Sequence, residues 1–320
     1  MKKFALTAML AGAAAISPAV QAQSPQVPGT VRLVVGYSAG GPVDQAARMV
    51  APVLARELGV TVVVDNKPGA NATTAGDSVA KASPDSGQLW FAASPTVTIS
   101  PHLMKMAFEP TRDLVALAPI LSYYNVLVVN KDLPFRSLKD VVDHAKANPG
   151  KVSYGSAGLG GSNHLSGELL AVRTGTKLLH VPYKGNAPAM ADVMGGQITM
   201  MFDIISTART YITGDKVRAI AVTSPHRNPS LPNVPTIAEA GVKDFEVGGW
   251  FAVYGPATLS KPLAARYTAA FANALKDAEL KAKLDAAGFE VWTGAGDAVD
   301  VRARKERDMW GTVTKGIKIE

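Results

Sequence analysis

The chain has 320 residues, of which 47% are hydrophobic and 18% charged, and that length exceeds what one core usually organises, so two domains are expected. The formal net charge is +7 with no cysteine; this excludes a disulfide framework, and because the cations are interspersed with acids it also argues against nucleic acid as a partner. His102, His144, His164, His180 and His226 show no metal-ligand spacing such as H-E-x-x-H, so neither a metal nor a cofactor is expected.

The amino terminus reads as an export signal. Lys2 and Lys3 precede an apolar stretch from Phe4 to Ile16 that is too short to span a bilayer, and Val20, Gln21 and Ala22 form a small-x-small site, which sets cleavage after Ala22. No cysteine stands near that junction to take a lipid.

The stretch that organises the mature chain is VRLVVGYSAGGPVDQAAR, residues 31 to 48. Val31, Leu33, Val34 and Val35 read as a buried parallel strand that runs directly into a glycine-rich turn, Ser38-Ala39-Gly40-Gly41. Pro42 suits a first helical turn, and Ala46, Ala47, Val50, Val53 and Leu54 supply the apolar face of a helix. Unpaired amide N–H groups and the positive end of the helix dipole then face out of the turn, which suits an anion, and a carboxylate in particular. Two other readings fit these letters. Gly36-x-Ser38-x-Gly40 matches the nucleophile elbow of α/β-hydrolases, with Ser38 as nucleophile, although the strand comes first in the chain and no oxyanion segment precedes it. The glycines also suit a plain tight connection. A Rossmann fingerprint or P-loop is absent both here and at Gly158, where GLGGSN lacks the third glycine.

A second strand, residues 60 to 64, ends in DNKPGANATTAG, a polar loop feeding a helix from Thr73 or Thr74. LWFAASPTVTI gives a third strand that ends at Ser94, Pro95 and Thr96. A new strand begins at Leu121, and Ser137 caps a helix that stops at Asn148-Pro149-Gly150. The opening then recurs. VSYGSAGLGGSNHLSGELL is again strand, glycine turn and helix, and LLHVPYKGNAP again strand and polar loop. Two such turns facing across a crevice make a hinged clamp for a small anionic ligand. Asp203, in the apolar strand ITMMFDIIS, is either a pocket acid or a buried acid satisfied by backbone N–H groups. A short helix then leads to a return strand, residues 248 to 254, and three helices flank a short edge strand in FEVWT, the last helix running from Asp297 to Ile317.

Taken together, the signal, YSAGGPVDQAAR, VVVDNKPGANATTAG, SYGSAGLGGSNHLSGELL and HVPYKG resemble the Bug family, periplasmic receptors of tripartite tricarboxylate transporters, over essentially the whole mature chain. The resemblance implies an α/β protein of the type II periplasmic-binding-protein fold, with a ligand cleft between two domains. It implies domain 1 over residues 23–122 and 248–320, and domain 2 over 123–247. It also implies a monomeric, non-enzymatic periplasmic protein that delivers a small carboxylate to membrane permease subunits; a sensory role towards a membrane sensor kinase is the alternative. Carried over by position, Tyr37, Ser38, Ala39 and Gly40 cradle the ligand from domain 1, with Asn71, Ala72 and Thr73 in its second loop and Ser94 and Thr96 in its third. Ser156, Ala157, Gly158, Ser162, Asn163 and His164 form the facing turn, Tyr183 the adjoining loop and Asp203 the floor. Two departures stand out. Asn71 and Ala72 replace a usual pair of glycines, and Pro42 replaces a small hydroxyl residue.

Overall fold

A computed structural model describes residues 26–313. The predicted export signal and the last residues of the predicted closing helix lie outside that range. In the first domain β1 (Thr30–Val35) leads through the first glycine turn to α1 (Pro42–Leu58), then β2 (Thr61–Asn66), α2 (Thr73–Ala80) and β3 (Gln88–Ala93). β1 lies between β2 and β3 and is parallel to both. Val31, Leu33, Val34 and Val35 are fully buried, because helices cover both faces of the strand. Ser94, expected at the end of the third strand, instead opens a short helix, α3 (Ser94–Thr98), followed by α4 (Ser100–Leu103) and α5 (Pro110–Asp113).

β4 (Leu114–Asn130) is the strand the two domains share. The sequence suggests a new strand at Leu121, but pairing is already under way at Leu114. Pro119 donates no hydrogen bond, and the register slips on either side of it, so the strand bends without ending. Its first part, to Tyr124, pairs antiparallel with β9 (Gly248–Pro256), and from Asn125 it pairs with β7 (Met200–Ile204) and β8 (Val217–Val222). Between these come α6 (Leu138–Ala147), β5 (Ser153–Ser156), α7 (Ser162–Thr174), β6 (Leu179–Pro182), α8 (Asn186–Met194) and α9 (Ile205–Thr213). β5 runs parallel to β6 and β7, so strand, turn and helix are repeated in the second domain.

The short helix expected before the return strand is replaced by turns and a single bridge, Val222 to Thr236. Pro229, Pro232 and Pro235 remove the donors a helix there would need. After β9 the chain packs α10 (Lys261–Ala274), α11 (Ala278–Ala286), β10 (Glu290–Val291) and α12 (Gly296–Val313) on the first domain. The strand order is β2-β1-β3-β9-β4-β7-β5-β6, with β8 and β10 also on β4.

The two crossings between domains are tied together. Thr223, fully buried, accepts from the Asn125 N–H at 2.9 Å and donates to the Val247 carbonyl at 2.6 Å, while the Thr223 N–H reaches the Asn125 carbonyl at 2.8 Å. Asn125 in turn donates through Nδ2 to Ser166 Oγ at 3.1 Å. Replacing the hydroxyl with a methyl group in Thr223→Val strands buried backbone groups on both crossings, at a cost of about 1–3 kcal/mol. The expected result is a thermal midpoint lower by about 2–4 °C per kcal/mol in a differential scanning measurement; an unchanged midpoint contradicts this role.

Candidate functional site

Four long helices begin around one point between the domains. Pro42 and Val43 open α1, Ser162 and Asn163 open α7, Asn186 opens α8, and Ile204 is the residue before α9; all six line a small interdomain cavity. Tyr37, Tyr123, Ala157 and Phe251 complete most of its wall, and no lining side chain carries a charge. The positive ends of four helix dipoles therefore meet at an uncharged wall, with the carboxylates of Asp44, in the first turn of α1, and Asp203, beside the start of α9, set behind it. About 20 Å³ is open to a water centre there, room for about one water.

The turns that shape this cavity are held by their own side chains. In the first, Asp44 Oδ2 accepts from the Gly40 N–H at 2.9 Å and from Arg48 Nε at 2.9 Å. Burial alone would raise the Asp44 carboxyl, but Arg48, the Gly40 N–H and Asn66 outweigh it and hold it below the usual carboxylate range. Gly40 sits at φ +79 with its amide spent on Asp44, and Ala39 and Gly40 are exposed at the tip. α1 has Gly41 at its N-cap with no side-chain cap, as expected of Pro42 at the first position.

In the second turn Ser156 Oγ accepts from the Gly158 N–H at 3.1 Å and sits 2.6 Å from His180 Nε2. His164 Nδ1 accepts from the Gly160 N–H at 3.0 Å, so His164 faces back into its own turn. The two imidazoles lie 4.2 Å apart and tilted by 33°, and Tyr154, itself bonded to Glu168 at 2.6 Å, lies 5.0 Å from His180. Burial pushes both histidines down to about 4, and His164 adds to the effect on His180. His180 is absent from the sequence-derived site; only the β5–β6 register, which sets Tyr154 beside His180, reveals it.

The remaining predicted residues divide by depth. Tyr37, Ala157, Ser162 and Asn163 line the cavity. Thr96 stands behind them, joining the Tyr37 hydroxyl at 3.3 Å to the Asn71 carbonyl at 3.0 Å. Ser94 Oγ accepts from the Trp250 N–H at 3.2 Å, and the Tyr183 hydroxyl is drawn to Asp192 at 2.6 Å. Asp203 is wholly buried, accepting from Asn186 Nδ2, from the Ile204 N–H at 2.8 Å and from Thr207 at 2.7 Å; burial pushes its carboxyl up to about 6. It orients Asn186, which lines the cavity and was missed from sequence despite following directly on Gly185.

Ala70, Asn71 and Ala72 all adopt positive φ, between +45 and +66. These are left-handed conformations that favour glycine, so the side chains at 71 and 72 are carried at a cost. Thr96, Thr73 (to the Ala70 carbonyl, 2.7 Å) and Ser100 (from Asn71 Nδ2, 2.8 Å) pin the loop, and Ala72 packs on Gly36.

Two contacts between the domains border the turns. A Cβ on Gly185 would lie 2.3 Å from Ser38 Oγ, and one on Gly158 would lie 3.5 Å from Asn71 Oδ1. Among the described residues, Ser38 Oγ and Asn71 Oδ1 are buried without a hydrogen-bond partner. A nucleophilic serine needs a base within reach, and Ser38 Oγ faces a glycine of the other domain instead.

A family model described as "Tripartite tricarboxylate transporter family receptor" matches residues 46–319. Among solved structures, the periplasmic binding protein BugD is 34% identical, with a TM-score of 0.85 over 89% of this chain and 96% of that one. MatC from Rhodopseudomonas palustris, with bound malate, is 28% identical (TM-score 0.84; 89% and 98% covered). A second R. palustris protein, with adipate, is 31% identical (TM-score 0.86; 89% and 96% covered). The fold is that of these binding proteins, two α/β domains with a cleft between them.

The buried histidines set a pH dependence. Both lie below their ordinary value of 6.5, so the stability they contribute is complete above pH 6.5 and is lost as pH falls towards about 4. Asp203, raised from 3.8 to about 6, acts in the opposite sense: its contribution is complete below 3.8 and is lost as pH rises through 6. His180→Gln removes one of the two histidine contributions, so the fall in thermal midpoint between pH 6.5 and 4 should be shallower than in the wild type. Equal slopes in a pH series of thermal scans contradict the assignment.

Proposed function

The chain belongs to the tripartite tricarboxylate transporter receptor family, and from that premise we propose that it is a periplasmic receptor that captures a small dicarboxylate between its domains and delivers it to the membrane subunits of such a transporter. The observation that carries this reading is the uncharged cavity at the meeting of four helix N-termini drawn from both domains. A carboxylate there is neutralised by dipoles and amides, with no arginine required. Each dipole contributes about 0.3–1 kcal/mol when exposed and up to about 2 when partly buried. Several charge-assisted hydrogen bonds, at about 1.5–3 kcal/mol each before ordering costs, bring the sum into the range of micromolar binding, about 8 kcal/mol.

Malate and adipate, bound by two of the similar proteins, support a short aliphatic dicarboxylate as the ligand. Loading this cavity requires the domains to part, because it holds about one water. Hinging on the two crossings beside Asn125 and Thr223 gives that motion, with domain boundaries near residues 122 and 248. The amino-terminal signal, cleaved after Ala22, supplies the export the role needs.

Thermal unfolding of the chain, refolded from denaturant and then mixed with mono-, di- and tricarboxylates, tests this. A ligand at about 100 times its dissociation constant should add about 2.7 kcal/mol of stability, a shift of several degrees. No shift with any carboxylate contradicts the receptor reading. Closure is tested by Gly185→Ala, whose methyl group collides with Ser38 across the cleft. Affinity for the active dicarboxylate should fall at least about tenfold, equivalent to 1.4 kcal/mol, and Ser38→Gly in the same chain should restore part of it, the rest being held by the positive φ of Gly185 and the nearby Ser38 backbone. Unchanged affinity in Gly185→Ala contradicts a site that shuts at this contact.

A further inference from the structure

Outside the cavity, a groove of about 550 Å³ runs between the domains. Arg48 and Met49 of α1 and Lys283 and Ala286 at the end of α11 form its first-domain wall; Ser206 and Arg209, one turn apart at the start of α9, form the other. Three cations and no acid line it. Arg48 is paired with Asp44 and Lys283 with Glu279, whereas Arg209 has no ion-pair partner among the described residues. Ser206 is 6% exposed, and its Oγ and the Arg209 Nε are buried without a hydrogen-bond partner. Buried polar atoms are nearly always paired, so two unpaired donors on adjacent turns of one helix point to an acceptor from outside the chain.

Resting on the receptor reading above, we propose that this groove is the docking site for a segment of the receiving protein that carries carboxylate side chains flanked by apolar ones. The cations lie on three helices of two domains, a spread that suits an extended acidic segment better than one free ion, and Met49, Ala286 and Ala287 supply apolar contact between them. The walls meet only while the domains are shut: just beyond α11, a Cβ on Gly288 would lie 2.6 Å from Ile205 Cγ2 of the second domain. A partner that grips both walls therefore distinguishes the shut receptor from the open one, which suits delivery of a loaded protein.

The test uses the full chain and a fluorescein-labelled peptide, Glu-Leu-Glu-Glu-Leu-Glu, in an anisotropy titration at low salt, run with and without a saturating amount of the dicarboxylate that gives the largest thermal shift. Arg209→Glu and Lys283→Glu, one on each wall, should each weaken binding by at least about tenfold, and Arg209→Gln by about threefold. A matched reversal in the separate second-domain groove, Lys146→Glu, should change it less than about twofold. Free glutarate should not displace the peptide. The proposal is overturned by absence of binding, by equal loss in Lys146→Glu and Arg209→Glu, by loss on one wall only, or by full displacement with glutarate, which indicates a small-anion site. The carboxylate panel run on the same variants separates the two readings: ligand shifts without peptide binding remove the docking site alone, and peptide binding without any ligand shift removes the receptor.

Discussion

A parallel β-strand that turns directly into a helix must deliver the helix N-terminus to the carboxyl edge of its sheet, and the architecture of this protein comes from doing so in two domains that face each other. β1 with α1 on one side, and β5 with α7, α8 and α9 on the other, bring their unpaired amides to one point. What keeps the two edges opposed is β4, which belongs to both half-sheets, and β9, which returns beside it. Without that shared strand the dipoles would point into separate patches of solvent, where screening leaves each with little effect.

The turns are built to leave the cavity uncharged. Asp44 is beside the first turn, yet its carboxylate is committed to Gly40 and Arg48. His164 and His180 are committed to Gly160 and Ser156, and burial keeps both neutral at ordinary pH. Asp203 is spent on Asn186, Thr207 and the start of α9. Ionisable groups thus fix the shape of the site from behind while neutral atoms face inward. The exceptions are at the seam, where Ser38 Oγ and Asn71 Oδ1 are buried and unpaired, each at a cost of about 1–3 kcal/mol. Shutting the domains carries this penalty, which the proposed carboxylate would offset.

Much of this was legible in the letters. The alternation of buried strand, glycine turn and amphipathic helix announced both halves, and their duplication announced a two-sided cleft. Short-range patterns said less about which atoms a side chain would reach. Ser156 and His164 read as ligand contacts, because nothing in VSYGSAGLGGSNH shows that His180, on the next strand, will sit against Ser156. Tyr123 and Phe251 line the cavity from strands that sequence periodicity marks only as core. The continuous β4 was obscured by Pro119, whose missing donor is absorbed by register slips. The cost of Asn71 and Ala72 in left-handed geometry appears only with the backbone angles, although the replacement of glycines had marked the loop as unusual.

In the proposed receptor a carboxylate draws the two domains together. The natural sequence has no cysteine, so thiols introduced at exposed positions on each side, Thr74→Cys on α2 and Ala191→Cys on α8, can carry spin labels without background. The measurement is the distance distribution between them by pulsed electron resonance, with and without the dicarboxylate that gives the largest thermal shift. A broad distribution should narrow to the separation seen in this shut arrangement when the dicarboxylate is added. A dicarboxylate that binds by calorimetry and leaves the distribution unchanged contradicts it.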